Sequence, residues 1–534
     1  MGERRADSTG RSSQRRAASV GQRSFVRHRQ QSRRRPRAAD RRLTLAGIRR
    51  PIAKLVGSVP TAAWVCVVAA ILNAACWSLI TPPFAVSDES SHFAYVKQLA
   101  EAHALPHSHG LEFSREEERA LIDLHEFPAG ILPPTGAISS VAEQHRLEHD
   151  LGEAAEQPRE GSDAAGVATS QPPLYYLLET IPYTMGSSGS LLTRLELMRL
   201  LSALYAGVTA LFAFFFVREA LPARRLGWVA GGLSVAFAPL LGFMSGAVNP
   251  DALLFAVSAG LFWSLARAFR LGLTYRRASL IGVIAAIGLL TKLNFVGLLP
   301  GALLGLAVLA WGVRRSSRSD AYRMFGLGAG LAISPAVAYM IANAAAGTPL
   351  IGEVSTVATS LAKHSVSGGV SYIWQMFLPR LPGMKPYFAG LFTTREIWFD
   401  GLVGEFGWVE TAFPGWVYDV AGLVAVLVFF ACARVLWLLR STVRRRVLEL
   451  AVYTVISVGL LILVGSVSYR APATEQYTEA RYLLPLIVLF AAAIGLAIRA
   501  CGRRWEAILG TLIVLAMIAD NVFSQLLVIG RFYA

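Results

Sequence analysis

Eleven long apolar runs constrain this chain more than any other feature. They lie near 61–80, 199–217, 226–246, 251–269, 278–291, 294–313, 324–346, 417–438, 448–468, 482–498 and 506–530. In hydrocarbon every backbone N–H and C=O must be paired internally, so an apolar run of this kind reads as a membrane-crossing helix. The expected fold is therefore an all-α polytopic membrane protein with about eleven transmembrane helices. A mean hydropathy of +0.47 with 16% charged residues agrees with that class and excludes an ordinary soluble domain.

Arginine sets the sidedness. The connecting segments 218–225, 267–277, 314–323, 434–446 and 499–504 hold nineteen Arg, whereas 247–250, 292–293 and 469–481 hold Lys292, Arg470 and Arg481. By the positive-inside rule the first set is cytoplasmic, the N-terminus is cytoplasmic and the C-terminus is extracytoplasmic. Two long segments, 81–198 and 347–416, are then outer loops of a 55–534 transmembrane domain. The first carries seven of the nine His. It is expected to contain short helices on the membrane surface and a disordered acidic stretch near 143–170.

The net charge of +16 does not point to nucleic acid. Residues 1–54 hold sixteen Arg and one Lys against three acids, so an Arg-rich cytoplasmic tail carries most of the excess. Such a tail is expected to be disordered and to sit near anionic lipid headgroups. The four Cys (Cys66, Cys76, Cys432, Cys501) fall in or beside spans and offer no disulfide framework outside.

The polar oddities share the predicted outer face. "SDESSHFAYVKQLAE" (87–101) follows the first span and spaces Phe93, Val96 and Leu99 by three, an amphipathic interfacial helix with Ser87 as N-cap. Asp88 and His92 share a face, and Glu89 adjoins them. A plain alternative is an acidic pair capping a surface helix. "QPPLYYLL" (171–178), "NPDALL" (249–254), "TKLNF" (291–295), "FGWVETAFPGWVY" (406–418) and "YTEARYLLP" (477–485) fall on the same side. Lys292 follows a short span and should sit at the depth of a lipid phosphate, where an unpaired ammonium costs about 3 kcal/mol. It is either an anion site or a snorkelling lysine. Arg481 presents a fork suited to phosphate oxygens, or pairs with Glu479 or a headgroup.

These motifs resemble a known architecture. "SDESSHF" is similar to the acidic signature of the GT-C glycosyltransferases, close to the D-E-x-H-F form of protein mannosyltransferases with one residue inserted before His92. "QPPLYY" is similar to the K/H-P-P-L-Y motif of lipid-linked sugar transferases. The set D-E-x-x-H, N-P-D, F-G-W-x-[DE]-T-x-x-P-x-W-V-Y and R-Y-L-L-P most resembles an uncharacterised bacterial family of multi-span membrane proteins thought to be GT-C-like. The resemblance runs from residue 60 to about 490. It implies a GT-C-like fold, a polyprenyl-phosphate sugar donor, reaction at the outer face of a bacterial cytoplasmic membrane, and Asp88 as the signature acid beside Glu89. The chain departs from relatives at Glu479-Ala480-Arg481-Tyr482, where Gly-Arg-Tyr is common.

The chemistry can be argued from the residues themselves. An acceptor hydroxyl needs a carboxylate to take its proton, and a phosphate leaving group needs cations rather than an acid. One carboxylate opposite a Lys/Arg pair predicts inversion by single displacement, unlike the paired carboxylates of glycosidases. Asp88 is the expected base, with Glu89 and His92 orienting it, and Lys292 and Arg481 holding the donor phosphate. Gln171, Tyr175, Asn249, Asp251, Trp408 and Glu410 are candidate substrate contacts, Tyr175 and Trp408 for sugar stacking. Asp88, Glu89, His92 and Asp251 are ligand types for Mg²⁺ or Mn²⁺, but a monophosphate donor beside two cations needs no metal, and none is expected. The acceptor is a cell-envelope glycan, lipid or protein. A non-enzymatic lipid-linked glycan flippase or transporter, and a polysaccharide polymerase, are the rival readings. Acids placed near span ends, such as Asp251, Asp419 and Glu449, favour surface chemistry over transport.

Overall fold

The computed structural model describes residues 59–106, 111–124, 139–155, 163–164, 167–345, 365–386, 393–407, 411–470 and 479–533. The 1–54 tail lies outside them, as do parts of both long loops. The chain divides after Ser58, and all that follows concerns the unit from Val59 onward.

The helices used below are α1 Thr61–Ile80, α2 Glu89–Glu101, α3 Arg115–Asp123, α4 Val141–Ala155, α5 Leu174–Met185, α6 Leu191–Ala220, α7 Arg225–Ala236, α8 Pro239–Ser245, α9 Asp251–Leu271, α10 Tyr275–Thr291, α11 Leu299–Val313, α12 Arg318–Ala345, α13 Val366–Phe377, α14 Gly415–Leu438, α15 Val447–Arg470, α16 Ile487–Ala500 and α17 Gly502–Tyr533. The strands among the described residues form two antiparallel two-residue pairs, 111–112 with 163–164 and 405–406 with 411–412.

Every predicted span is helical, but the count of eleven is not reproduced. Among the described residues eight helices, one of them running from Ala480 through α16, are long and apolar enough to cross a membrane. A ninth span exists if α7 and α8, bent by 54°, are taken together. The other two, α10 and α11, have 17 and 15 residues, or roughly 25 and 22 Å against a hydrocarbon core of about 30 Å.

Small residues and local breaks shape the bundle. Pro239 has no N–H to offer the Val235 carbonyl and so cannot continue α7, and the Asn73 side chain of α1 donates to the carbonyl of Ala236, the last residue of α7, at 3.0 Å. Asn73 in turn accepts from Asn521 (2.7 Å) and Gln525 (3.1 Å) of α17, while Trp77 donates to Asn521 at 3.0 Å. A Cβ on Gly246 would meet the Ala74 carbonyl at 2.8 Å, so α8 presses against α1 backbone to backbone. Gly459 of α15 is closer still: its Cβ would stand 2.2 Å from the carbonyl of Gly297, which ends the 3₁₀ turn Leu293–Gly297 following Lys292.

The first long loop is more ordered than its composition suggests. Of the stretch near 143–170, expected to be disordered, the first part, to residue 155, belongs to α4, because Leu147 and Leu151, four apart, bury one stripe in the same core as Ala120 and Leu121 of α3. The interfacial helix α2 does carry Phe93, Val96 and Leu99 inward, yet Ala94 and Tyr95 are buried too, since α5 covers another face. Tyr95 stacks on Tyr176 of α5 with centroids 3.8 Å apart.

Candidate functional site

The sequence T-P-P ends α1. Thr81, preceding Pro82, is extended (φ −86°, ψ 122°), as a residue before proline must be. The chain then turns sharply into α2 through Phe84 (φ 65°) and Asp88 (φ 68°). A non-glycine residue in the left-handed region costs roughly 1–2 kcal/mol, least for Asp and Asn. Asp88 rather than Ser87 is the N-cap of α2, and its side chain makes no capping hydrogen bond. Asp88 thus holds the cap position without using its carboxylate to cap the helix backbone.

Glu89 holds this bend in place. It is wholly buried and forms a two-point ion pair with Arg199 of α6, at 2.8 and 2.6 Å. Its oxygens also accept from the backbone of Phe84 and Val248, both at 2.9 Å. Arg199 spends its remaining donors on the carbonyls of Ser78 (3.0 Å), Thr81 (2.9 Å) and Pro82 (2.9 Å). With both oxygens engaged, Glu89 orients the loop and is not free to accept a substrate proton. The N-P-D turn completes the clamp: Asn249 donates to the Ser87 carbonyl at 3.3 Å and accepts from the Asp251 backbone at 3.0 Å.

Around Asp88 the charges interlock. Its Oδ2 accepts from Arg481 at 2.7 Å, and its side chain remains 20% exposed. Arg481 also donates to the Ser87 carbonyl at 3.2 Å, with Nε 3.0 Å from Glu479 and 4.0 Å from Asp251. Lys292 pairs with Asp251 at 2.8 Å. Both cations lie about 5–6 Å from the Tyr482 ring, Lys292 at 5.9 Å and Arg481 at 5.3 Å. The cluster thus sets three carboxylates (Asp88, Asp251, Glu479) against two cations. Burial raises the Asp88 carboxyl, but Arg481, then His92 and Lys292, outweigh it and hold it below the ordinary carboxylate range. Burial pushes Glu479 up to about 7, opposed by Arg481 and reinforced by Asp88 and Asp251.

His92 hydrogen-bonds through Nδ1 to the Tyr176 hydroxyl at 2.9 Å. Burial drives its imidazole down to about 3, against the pull of Asp88, so it is neutral at physiological pH. Tyr175, expected to stack on a sugar, is instead sealed inside, bonding Ser202 at 2.8 Å. One residue along the helix and equally buried, Tyr176 is the one whose hydroxyl reaches His92. Gln171 accepts from the Leu293 backbone at 3.3 Å and so braces the turn that carries Lys292. Trp408 and Glu410 lie outside the described residues, although Gly407 beside them accepts from Ser87 at 3.3 Å.

The four possible metal ligands do not converge. The oxygens of Glu89 are occupied, and among the described residues the group with three ligand atoms within 4.8 Å of one another is His149, Asp150 and Glu153 on α4. Arg199 and Tyr176 are the contributors that the sequence reading missed. Arg199 carried a signal, being an arginine at the very start of an apolar run; Tyr176 carried none that separates it from Tyr175.

A family model described as "Predicted membrane protein (DUF2142)" matches residues 71–490. No curated protein matches the chain, and no solved structure matches it.

Proposed function

The chain belongs to the DUF2142 family of predicted membrane proteins, and from the interlocked charges at one end of its bundle we propose that it is a GT-C-like membrane glycosyltransferase. It moves a sugar, with inversion, from a polyprenyl-phosphate donor to a cell-envelope glycan, lipid or protein acceptor at the outer face of a bacterial cytoplasmic membrane. The observation that carries this reading is Asp88: a carboxylate in a strained backbone conformation, partly exposed, bound to Arg481 and set beside Lys292. Strain persists where the surroundings over-determine it, and it clusters at functional sites.

In this reading the donor phosphate exchanges places with the protein carboxylates on Arg481 and Lys292. Arg481 then stabilises the charge that grows on the leaving phosphate. As Arg481 turns to the phosphate, Asp88 loses the partner that depresses its basicity and becomes able to take the acceptor's proton. Neutral His92 and Tyr176 orient the carboxylate without adding charge.

The test uses purified full-length protein and a panel of radiolabelled polyprenyl-phosphate sugars. Asp88→Asn should reduce transfer by about 10²–10⁴-fold without weakening donor binding, since the amide no longer competes as an anion for Arg481. Lys292→Met should weaken donor binding, and Lys292→Met with Asp251→Asn guards against an unpaired buried carboxylate. Normal turnover by Asp88→Asn would refute the assignment. Donor binding by wild type without transfer or hydrolysis would favour a carrier over an enzyme.

A further inference from the structure

The reaction above leaves Glu479 unused. Its position is specific. One oxygen lies 3.0 Å from Nε of Arg481, yet that Nε makes no hydrogen bond, and neither does the other Glu479 oxygen, although both atoms are buried. Asp251 Oδ2, 4.0 Å from the same Nε, is a third buried polar atom without a partner. Buried polar groups are ordinarily satisfied, so three orphans around one guanidinium edge mark a contact that is built but incomplete. Arg481 and Tyr482 on its own turn, Ser87 and Asp88 at the start of α2, and Asp251 at the start of α9 face Glu479, while Lys292 is engaged by Asp251.

We propose that Glu479 is a positioning residue that gates Arg481, its carboxylate competing with the phosphate of an anionic ligand for the Nε edge of the guanidinium. The proposal rests on the phosphate-site reading above. With Glu479 ionised the five charged side chains sum to −1 and repel an anion; with Glu479 protonated they sum to zero and Nε is released. The direction follows from linkage. Burial pushes the folded carboxyl up to about 7, above its ordinary value of 4.5, and ligand prefers the protonated form, so binding strengthens as pH falls through 7. If the protonated form is the competent one, its fraction is about nine tenths at pH 6 and about one tenth at pH 8. Affinity should then change by about tenfold between those values.

The probe is farnesyl methyl phosphate, a lipid phosphodiester whose single charge does not change in this range, measured by equilibrium binding to full-length protein in nanodiscs. Wild type should bind about tenfold tighter at pH 6 than at pH 8. Glu479→Gln should bind at both pH values as wild type does at pH 6, and Glu479→Asp should restore a slope. Glu405, which burial and then Asp400 and Glu396 also raise to about 7, is the control, and Glu405→Gln should keep the slope. A slope that survives in Glu479→Gln overturns the proposal and leaves the phosphate site standing. No binding by wild type at either pH removes both.

Discussion

Replacing Arg199 by Met should cost the protein more than any other single truncation near the site. The methionine keeps most of the stem volume and removes the guanidinium. Glu89 would stay buried with only the Phe84 and Val248 amides as partners, each at 2.9 Å. Breaking one side of a buried pair costs about 3–5 kcal/mol. The carbonyls of Ser78, Thr81 and Pro82 also lose their donor, adding roughly 1 kcal/mol each. The sum, about 6–8 kcal/mol, is comparable to the whole stability of many domains. Membrane abundance and the thermal unfolding midpoint in detergent should both collapse. Glu89→Gln alone should be milder, and the double variant should be less damaging than the two singles added, with a coupling of roughly 1–3 kcal/mol. An Arg199→Met protein with wild-type abundance and midpoint would refute the reasoning, because the pair would then contribute nothing that its surroundings do not supply.

Two other outcomes can be checked. Gly459→Ala brings a methyl within 2.2 Å of the Gly297 carbonyl, so the turn bearing Lys292 must shift; binding of farnesyl methyl phosphate should weaken although no charged group changes, and unchanged binding would show that the turn is not held by this contact. Reporter fusions should place Arg315 and Arg445 in the cytoplasm and Asp88, Asn249 and Ala534 outside, and a cytoplasmic Asp88 would remove the extracytoplasmic mechanism.

Hydropathy located every helix of the bundle because burial in lipid demands long apolar runs. It could not count the crossings, since α10 and α11 are shorter than a bilayer core and α7 is broken by Pro239. The charged side chains of the site were legible as a set because they are polar residues where the chain should be apolar. Their pairing was not. Asp88 was matched with a substrate proton and Arg481 with a phosphate or Glu479, whereas the two lie against each other across 393 residues. Tyr175 and Tyr176 are neighbours whose roles are decided by a helical turn of about 100°, which no composition or spacing argument resolves. Leu147 and Leu151 carried a real helical signal that the surrounding acids obscured.

The same separations set an order of assembly. Glu89 meets Arg199 after 110 further residues, but Asp88 must wait 393 for Arg481, and Asn73 waits 448 for Asn521. At roughly 5–20 residues per second, the first pair becomes available about 5–20 s after Glu89 is made, and the second about 20–80 s after Asp88. During synthesis the bend in the chain is therefore fixed early, while the carboxylate it presents stays unmatched until Arg481 has been made. A chain stalled before residue 481 would hold the Glu89–Arg199 pair yet leave Asp88 without its arginine partner. The charge cluster is complete only once residue 481 has been made.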